Sequence, residues 1–104
     1  MWSVGNEPSC WEEAAAPYFK GVIDETRAAD PTRPVTMVSC AFPYGKKKDK
    51  VAQMLDVVCI NKYYSWYEDS GMLDVVEYQV RKELSLWYEE YGKPLIMTEY
   101  GADT

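Results

Sequence analysis

The chain has 104 residues, enough for one small domain, and 47% of them are apolar, which is a normal share for a globular core. Its net charge of −6 and isoelectric point of about 4.6 argue against nucleic-acid binding, which needs a basic face. The absence of histidine excludes Ser-His-Asp and Cys-His catalysis and histidine-based metal sites, so we expect neither a metal nor another cofactor.

Cysteine usage and the lack of long apolar segments bear on the compartment. The three cysteines, Cys10, Cys40 and Cys59, form no Cys-x-x-Cys pair, and their odd number favours free thiols in a reducing environment. Cys40 and Cys59 lie in apolar runs and are predicted to be buried packing residues. Because no signal-peptide pattern, membrane-length run or Asn-x-Ser/Thr sequon is present, we expect a cytoplasmic, bacterial protein rather than a lysosomal one, without membrane contact.

The first part of the chain alternates strand and helix patterns. Residues 1–4 are typical of the end of a strand, and Ser9 and Glu12 have the spacing of a capping box that opens a helix. The helix ends near residue 29, because the next residue precedes a proline. The β-branched residues 35–38 predict a second strand. The face of the helix with i, i+3, i+4 spacing carries Ala15, Tyr18, Phe19, Val22 and Thr26.

The middle of the chain predicts a loop, a short helix and a strand. Residues 41–50 are polar, and we interpret their basic run KKKDK at 46–50 as a solvated loop. Residues 49–55 predict a short helix. The continuous apolar run at 56–61 indicates a strand covered on both faces, and an aromatic loop follows at 63–67.

A second long helix and a fourth strand complete the pattern. The helix is predicted at residues 72–91, where Gly92 and Pro94 end it as a C-terminal glycine and a following proline do. Residues 95–98 predict the strand. The buried stripe of the helix is expected to contain Leu73, Val76, Val80, Leu84, Trp87 and Tyr91.

The predicted element order is β-α-β-(short α)-β-α-β, which right-handed crossovers turn into a parallel sheet covered by helices. Four strands are too few to close a barrel, and the chain begins inside a strand and stops just after one. We therefore predict an α/β fold that is about half of a (β/α)8 TIM barrel, with residues 1–104 a fragment of that domain. The alternative is a self-contained four-stranded α/β sandwich.

Two glutamates stand at the ends of strand-like apolar runs, Glu7 near the first strand and Glu99 after the fourth. In a parallel sheet of this order, Glu7, Asn61 and Glu99 share the carboxyl edge that carries the chemistry of α/β barrels. Glycoside hydrolysis requires two facing carboxylates, one to donate a proton and one to act as nucleophile or base. Stabilisation by the dipole of the following helix is a structural explanation for a carboxylate at Glu7. Strand stability does not explain a carboxylate at Glu99.

Three motifs resemble those of glycoside hydrolase family 2, and within it those of the β-glucuronidases. They are WSVGNEP at residues 2–8, NKYYSWY at 61–67 and TEYG at 98–101, and the segment DPTRPV at 30–35 also fits. The Asn-Glu pair is common among barrel glycosidases, whereas the aromatic motif is much more specific. The β-galactosidases of the family share the glutamate motifs but lack the aromatic stretch.

The resemblance implies a retaining exo-glycosidase that releases β-linked D-glucuronic acid from small glucuronides. Carried over by position, it implies that Glu7 is the general acid/base and Glu99 the nucleophile. Asn6 would hydrogen-bond the sugar 2-hydroxyl, an interaction that strengthens in the transition state. Tyr63 would hydrogen-bond the nucleophile or the sugar.

The same resemblance has implications for further positions and for the complete protein. Tyr67 would line the sugar subsite with Asn61 beside it, Trp66 would be a pocket wall or a core residue, and Trp2 would lie in the barrel interior. The complete protein would carry two β-sandwich domains before the barrel and an Asn-x-Lys motif later in it that reads the sugar carboxylate. It would be a homo-oligomer, often a tetramer in the family, and the isolated chain would be inactive or nearly so.

Two alternative functions remain open on the sequence. One is another family 2 glycosidase, a β-galactosidase or a β-galacturonidase, which the downstream Asn-x-Lys motif would discriminate. The other is a non-catalytic α/β module that binds sugar or protein through its aromatic loop. That module predicts unchanged activity or binding when Glu7 and Glu99 are replaced by glutamine.

Overall fold

A computed structural model of the chain describes residues 1–63 and 75–101, and within them four strands form one parallel sheet in the order β1-β2-β3-β4. The strands are β1 Trp2–Asn6, β2 Val35–Ser39, β3 Val58–Asn61 and β4 Leu95–Glu99. The helical elements are α1 Ala15–Ala29, a 3-10 turn at Ala52–Met54 and α2 Val76–Tyr91. The predicted four parallel strands with crossover helices are confirmed, and their carboxyl ends lie at one edge.

Helices pack on one face of the sheet and bury two apolar clusters. Side chains alternate between the faces of a strand, so every second residue meets the helix layer. Val35 and Met37 of β2 pack with Phe19 and Ile23 of α1. The second cluster joins β3 to α2 through Val58, Ile60 and Trp87.

The start of α1 differs from the prediction. The helix begins at Ala15 with no side-chain cap, and the Ser9 carbonyl accepts the Glu12 N–H over 3.1 Å in a turn before it. The predicted capping box is therefore wrong. Pro17 explains the difference, because a helix opened at Ser9 would place this proline in its interior, where it lacks a donor and clashes with the preceding turn. In the observed helix Pro17 lies in the first turn, where it is tolerated.

The buried stripe of α1 is narrower than predicted. Ala15 and Phe19 are buried as expected, and Ile23 continues their line at i+4 spacing. Tyr18, also a predicted member of this stripe, is 66% exposed, because it lies on the flank of the helix rather than over the sheet. The two remaining predicted members of the stripe are half-buried, namely Val22 and Thr26.

Trp2 lies on the helix side of the sheet, so its predicted place in the barrel interior is wrong. Val4, two residues along β1 and therefore on the same face, packs against the α1 cluster. The Trp2 side chain is 48% exposed, and its Nε1 donates a 3.0 Å hydrogen bond to Asp30. Together with Tyr18 and Val22 it lines an apolar groove of about 840 Å³ beside edge strand β1.

The loop after β2 is joined by ion pairs to α2 and to the segment just before α1, so the solvated-loop prediction for its basic run is only partly right. Lys48 forms an ion pair with Glu90 of α2, and Lys50 lies 2.6 Å from Glu13, just before α1. Asp49 between them is buried.

Asp49 also caps the short helical element that follows. Its Oδ1 accepts the backbone N–H groups of Val51 and Ala52 over 2.7 and 2.8 Å. These bonds satisfy donors that the start of a helical turn leaves free. The predicted short helix at residues 49–55 is observed as the single 3-10 turn Ala52–Met54.

The end of α2 agrees with the prediction, while its predicted start and Leu73 lie outside the described residues. Gly92 adopts a left-handed conformation with φ of 63° and donates its N–H to the Tyr88 carbonyl over 2.8 Å. Trp87 is fully buried. The half-buried members of the predicted stripe are Val76, Val80, Leu84 and Tyr91.

All three cysteines are free thiols, as predicted. Cys10 and Cys59 are buried, and Cys40 is half-buried. Among the helices in the described part of the chain, none is long and apolar enough to cross a membrane.

Candidate active site

The carboxyl ends of β1, β3 and β4 bring four of the predicted site residues into one chain of hydrogen bonds. Asn61, buried at the end of β3, is its centre. The Asn61 Nδ2 donates to Oε2 of Glu99 over 2.5 Å and to Oδ1 of Asn6 over 3.3 Å. The Tyr63 hydroxyl donates to the other oxygen of Glu99. The sequence-predicted residues Asn6, Asn61, Tyr63 and Glu99 are therefore neighbours.

A register shift in β4 orients Glu99 toward Asn61. Met97 pairs with Ile60, but the next pair joins Glu99 to Asn61, so Thr98 is an extra residue of the β-bulge type. In a regular strand Thr98 and Glu99 would point to opposite faces. In this strand both side chains hydrogen-bond the Asn61 amide. The bulge thus places the carboxylate over the carboxyl edge of the sheet.

β1 carries a similar irregularity directly before the other candidate residues. Ser3 pairs with Thr36 and Asn6 pairs with Val38, so β1 advances three residues while β2 advances two. The shift brings the side chain of Asn6 to within hydrogen-bond distance of Asn61. Bulges at strand ends commonly re-aim side chains next to sites.

Glu7 follows β1 in a strained backbone conformation. Its φ is 51°, and among the described residues it is the only non-glycine residue with positive φ. A residue with a Cβ occupies this left-handed region at a cost of about 1–2 kcal/mol. The Glu7 N–H donates to the Val38 carbonyl over 2.8 Å, which ties this conformation to β2. The Glu7 side chain is exposed at the carboxyl edge.

The thiol of Cys40, one residue beyond β2, is a neighbour of Glu7 that the sequence does not indicate. Burial raises the pKa of Cys40, and the Glu7 carboxylate, which hydrogen-bonds the thiol, raises it further. The Lys62 ammonium opposes this effect. Cys40 therefore remains a protonated donor facing Glu7 at neutral pH.

Lys62 anchors the end of β3 to its surroundings. Its Nζ lies 3.3 Å from Glu83 of α2 and 3.9 Å from the centroid of the Phe42 ring. Its backbone N–H donates to the Glu99 carbonyl over 3.0 Å. The sequence contains Lys62 in the aromatic motif, but nothing in the spacing indicates these contacts.

The remaining predicted site residues, Trp66 and Tyr67, lie outside the described residues. Within residues 1–63 and 75–101 no group of three or more His, Cys, Asp or Glu side chains is arranged to hold a metal ion. The arrangement there consists of carboxylates, amides and hydroxyls, which is a donor and acceptor set suited to a polar, hydroxyl-rich ligand.

Comparison with known proteins identifies the family. The family model described as "Glycosyl hydrolases family 2, TIM barrel domain" matches residues 1–104. The chain belongs to glycosyl hydrolase family 2. The match confirms the predicted family and, with the parallel sheet, the predicted partial TIM barrel.

Several similar proteins are named β-glucuronidase. A "Beta-glucuronidase" of Paenibacillus borealis is 52% identical over 103 residues, covering 99% of this chain and 17% of that protein. A solved β-D-glucuronidase of Dictyoglomus thermophilum is 51% identical with a TM-score of 0.93, covering 100% of this chain and 18% of that one. The Bifidobacterium dentium β-glucuronidase, solved in complex with coumarin-3-O-glucuronide, is 42% identical with a TM-score of 0.84, covering 100% and 17%. The chain thus spans about one sixth of these relatives' length.

Proposed function

We propose that the full-length protein containing this chain is a retaining β-glucuronidase, and that the chain is the part of its catalytic barrel that carries both catalytic glutamates. The names of the family 2 relatives support this function, and the glucuronide bound to the Bifidobacterium dentium relative supports the substrate class. The observation that carries the proposal is the hydrogen-bonded chain that links Asn6, Asn61, Glu99 and Tyr63 at the carboxyl edge.

Glu99 is the proposed nucleophile, because its carboxylate is oriented by donors on both oxygens. The Asn61 amide and the Tyr63 hydroxyl hold one oxygen each. A carboxylate restrained in this way can be presented to an anomeric carbon with little reorganisation. Glu7 is the proposed general acid/base, since its exposed side chain lies at the same carboxyl edge of the sheet.

The first chemical step forms a covalent ester. A carboxylate oxygen of Glu99 attacks the anomeric carbon of the glucuronide, and the bond from that carbon to the aglycone oxygen breaks. The aglycone oxygen keeps the electron pair and takes the proton of Glu7. Asn6 accepts the Asn61 amide at its Oδ1, which leaves its own Nδ2 hydrogens to donate to the sugar 2-hydroxyl.

The second step hydrolyses the ester. Glu7, now ionised, removes a proton from water, and the hydroxyl oxygen attacks the anomeric carbon. The ester bond to Glu99 breaks, and its electron pair restores the carboxylate. Free glucuronic acid leaves with the β configuration of the substrate. Tyr67 and Trp66 are proposed to line the sugar subsite.

Hydrolysis of chromogenic glycosides by the full-length protein tests the substrate. We expect turnover of p-nitrophenyl β-glucuronide and none of p-nitrophenyl β-galactoside. Turnover of the galactoside alone would retain the glutamate roles but contradict the glucuronide specificity. Activity on neither substrate would contradict the glycosidase function and favour a binding module.

Glutamine substitutions in the full-length protein test the two roles. Glu7→Gln and Glu99→Gln are each expected to lower kcat at least about a thousandfold, as the loss of catalytic groups does. Glu25→Gln on the exposed face of α1 is the matched control and is expected to retain activity. Azide should restore turnover in Glu99→Ala with an inverted glycosyl azide as product. Failure of azide to react in that variant would count against Glu99 as the nucleophile.

A further inference from the structure

The hydroxyl of Thr98, next to Glu99 in the sequence, binds the opposite end of the same amide that holds Glu99. The Thr98 Oγ1 lies 2.6 Å from Oδ1 of Asn61 and 3.1 Å from the Ile60 carbonyl. A hydroxyl has one hydrogen to donate, and the shorter contact assigns it to Asn61. The Asn61 amide is then bonded at both of its ends.

The contact to Thr98 determines which way the Asn61 amide faces. A side-chain amide has a donor end and an acceptor end, and its orientation follows from its partners. The Glu99 carboxylate and the Asn6 carbonyl oxygen are acceptors, so Asn61 must face both of them with its donor atom, Nδ2. The Thr98 hydroxyl supplies the donor that Oδ1 then requires inside the buried end of β3.

We propose that Thr98 is a positioning residue, whose hydroxyl locks the Asn61 amide so that its N–H groups orient the Glu99 carboxylate and Asn6. This inference rests on the proposed function of Glu99. The register shift at Thr98 is what makes the arrangement possible, because it lets two adjacent β4 residues reach one amide. The role is one of orientation, since Thr98 acts through Asn61.

Loss of the hydroxyl should affect the chemical step more than substrate binding. Without its donor, Asn61 can rotate about its side-chain bonds, and both Glu99 and Asn6 lose a fixed partner. Nucleophile alignment and the bond to the sugar 2-hydroxyl matter most in the transition state. Removal of supporting groups of this kind typically costs 10- to 100-fold in activity, as seen at metal sites.

The test compares Thr98→Val and Thr98→Ser in the full-length protein, with Thr36→Val as the matched control. Thr36 is a β2 threonine whose buried hydroxyl donates to the Val57 carbonyl over 2.6 Å. On p-nitrophenyl β-glucuronide, we expect Thr98→Val to lower kcat about tenfold or more, with KM changed less than about twofold. Thr98→Ser should stay within about threefold of the parent, because it keeps the hydroxyl. Thr36→Val should retain the parent kcat per folded molecule.

A double-substitution cycle with Asn61→Ala separates positioning from a general structural role. If Thr98 acts through Asn61, Thr98→Val should change kcat by less than about twofold in the Asn61→Ala background. An equal loss in both backgrounds, or parent-like kcat in Thr98→Val, would overturn the inference. Thr98→Ala is measured in parallel, so that misfolding of the valine variant leaves the hydroxyl test intact. An inactive parent would contradict the proposed function instead.

Discussion

The Nζ of Lys62 lies 3.3 Å from Oε1 of Glu83, and each of the two side chains is only 13% exposed. This nearly buried ion pair joins the residue after Asn61 to α2. The indole Nε1 of Trp87, which is fully buried, lies 3.5 Å from the same oxygen of Glu83. One carboxylate, that of Glu83, therefore contacts both the residue at the end of β3 and the buried indole of α2.

Removal of one partner from this ion pair should destabilise the chain. Lys62→Met removes the Lys62 ammonium from beside the nearly buried Glu83 carboxylate, and we expect a loss of about 2–3 kcal/mol in the free energy of unfolding. Urea unfolding followed by tryptophan fluorescence measures this. Lys20→Met is the control, since Lys20 pairs with Asp24 in solvent and should cost less than about 1 kcal/mol. Equal losses in the two variants would contradict the role of burial.

Substitution of Asp49 should separate its acceptor function from its charge. Asp49→Ala removes the partner of two backbone N–H groups at Val51 and Ala52, and we expect a loss of about 2 kcal/mol in the free energy of unfolding. Asp49→Asn keeps one oxygen at this position and should recover more than half of that loss. The same urea titration measures both variants. Asparagine as harmful as alanine would show that the charge, not the cap, matters.

Alkylation of the thiols should report the contact between Cys40 and Glu7. Iodoacetamide should label half-buried Cys40 before buried Cys59 and Cys10. Cys10 should react slowly, because burial together with the Asp49 carboxylate raises its pKa to about 12. Since the thiolate reacts, the pH midpoint for Cys40 labelling should lie above that of an ordinary thiol. Glu7→Gln should move this midpoint to lower pH, and the exposed control Glu12→Gln should not. Peptide mass spectrometry measures the rates; an unmoved midpoint in Glu7→Gln would contradict the contact.

Acid unfolding should depend on Asp56. Its carboxylate accepts the Val35 N–H over 2.8 Å, which lowers the pKa of Asp56, and Arg27 lowers it further. A lowered pKa in the folded state stabilises the fold above the unfolded-state value of about 4, and this contribution is lost as pH falls through the folded-state pKa. The urea midpoint of the parent should therefore exceed that of Asp56→Asn near neutral pH, and the gap should narrow below about pH 4. A gap that stays constant down to about pH 2 would contradict this linkage.

The strands could be predicted because their signals are local. The β-branched run in β2, the apolar run in β3, and the glycine and proline before β4 each identify an element without reference to the others. The capping-box spacing at Ser9 does not predict the start of α1, because the proline at position 17 disfavours a helix that begins there. The local sequence does not determine the position of Trp2, because the face it occupies depends on which side of the sheet α1 covers.

The candidate site was predictable to the extent that parallel strands align their carboxyl ends. That rule brings Asn61 and Glu99 to one edge, where the structure shows them hydrogen-bonded. The contacts of Thr98 and Lys62 depend on a register shift and on packing against α2, and these arise only when the chain folds. The left-handed backbone at Glu7 has no sequence signal either, since the region ordinarily favours glycine.

The strained backbone at Glu7 lowers the stability of the fold at the position for which we propose the acid/base role. Glycine would occupy a φ of 51° without the Cβ conflict and would relieve about 1 kcal/mol of strain. It would also delete the carboxylate proposed as acid/base. A directed-evolution experiment that selects for heat resistance alone would therefore favour glycine at this position and lose the proposed acid/base. Selection for turnover would retain the strained glutamate.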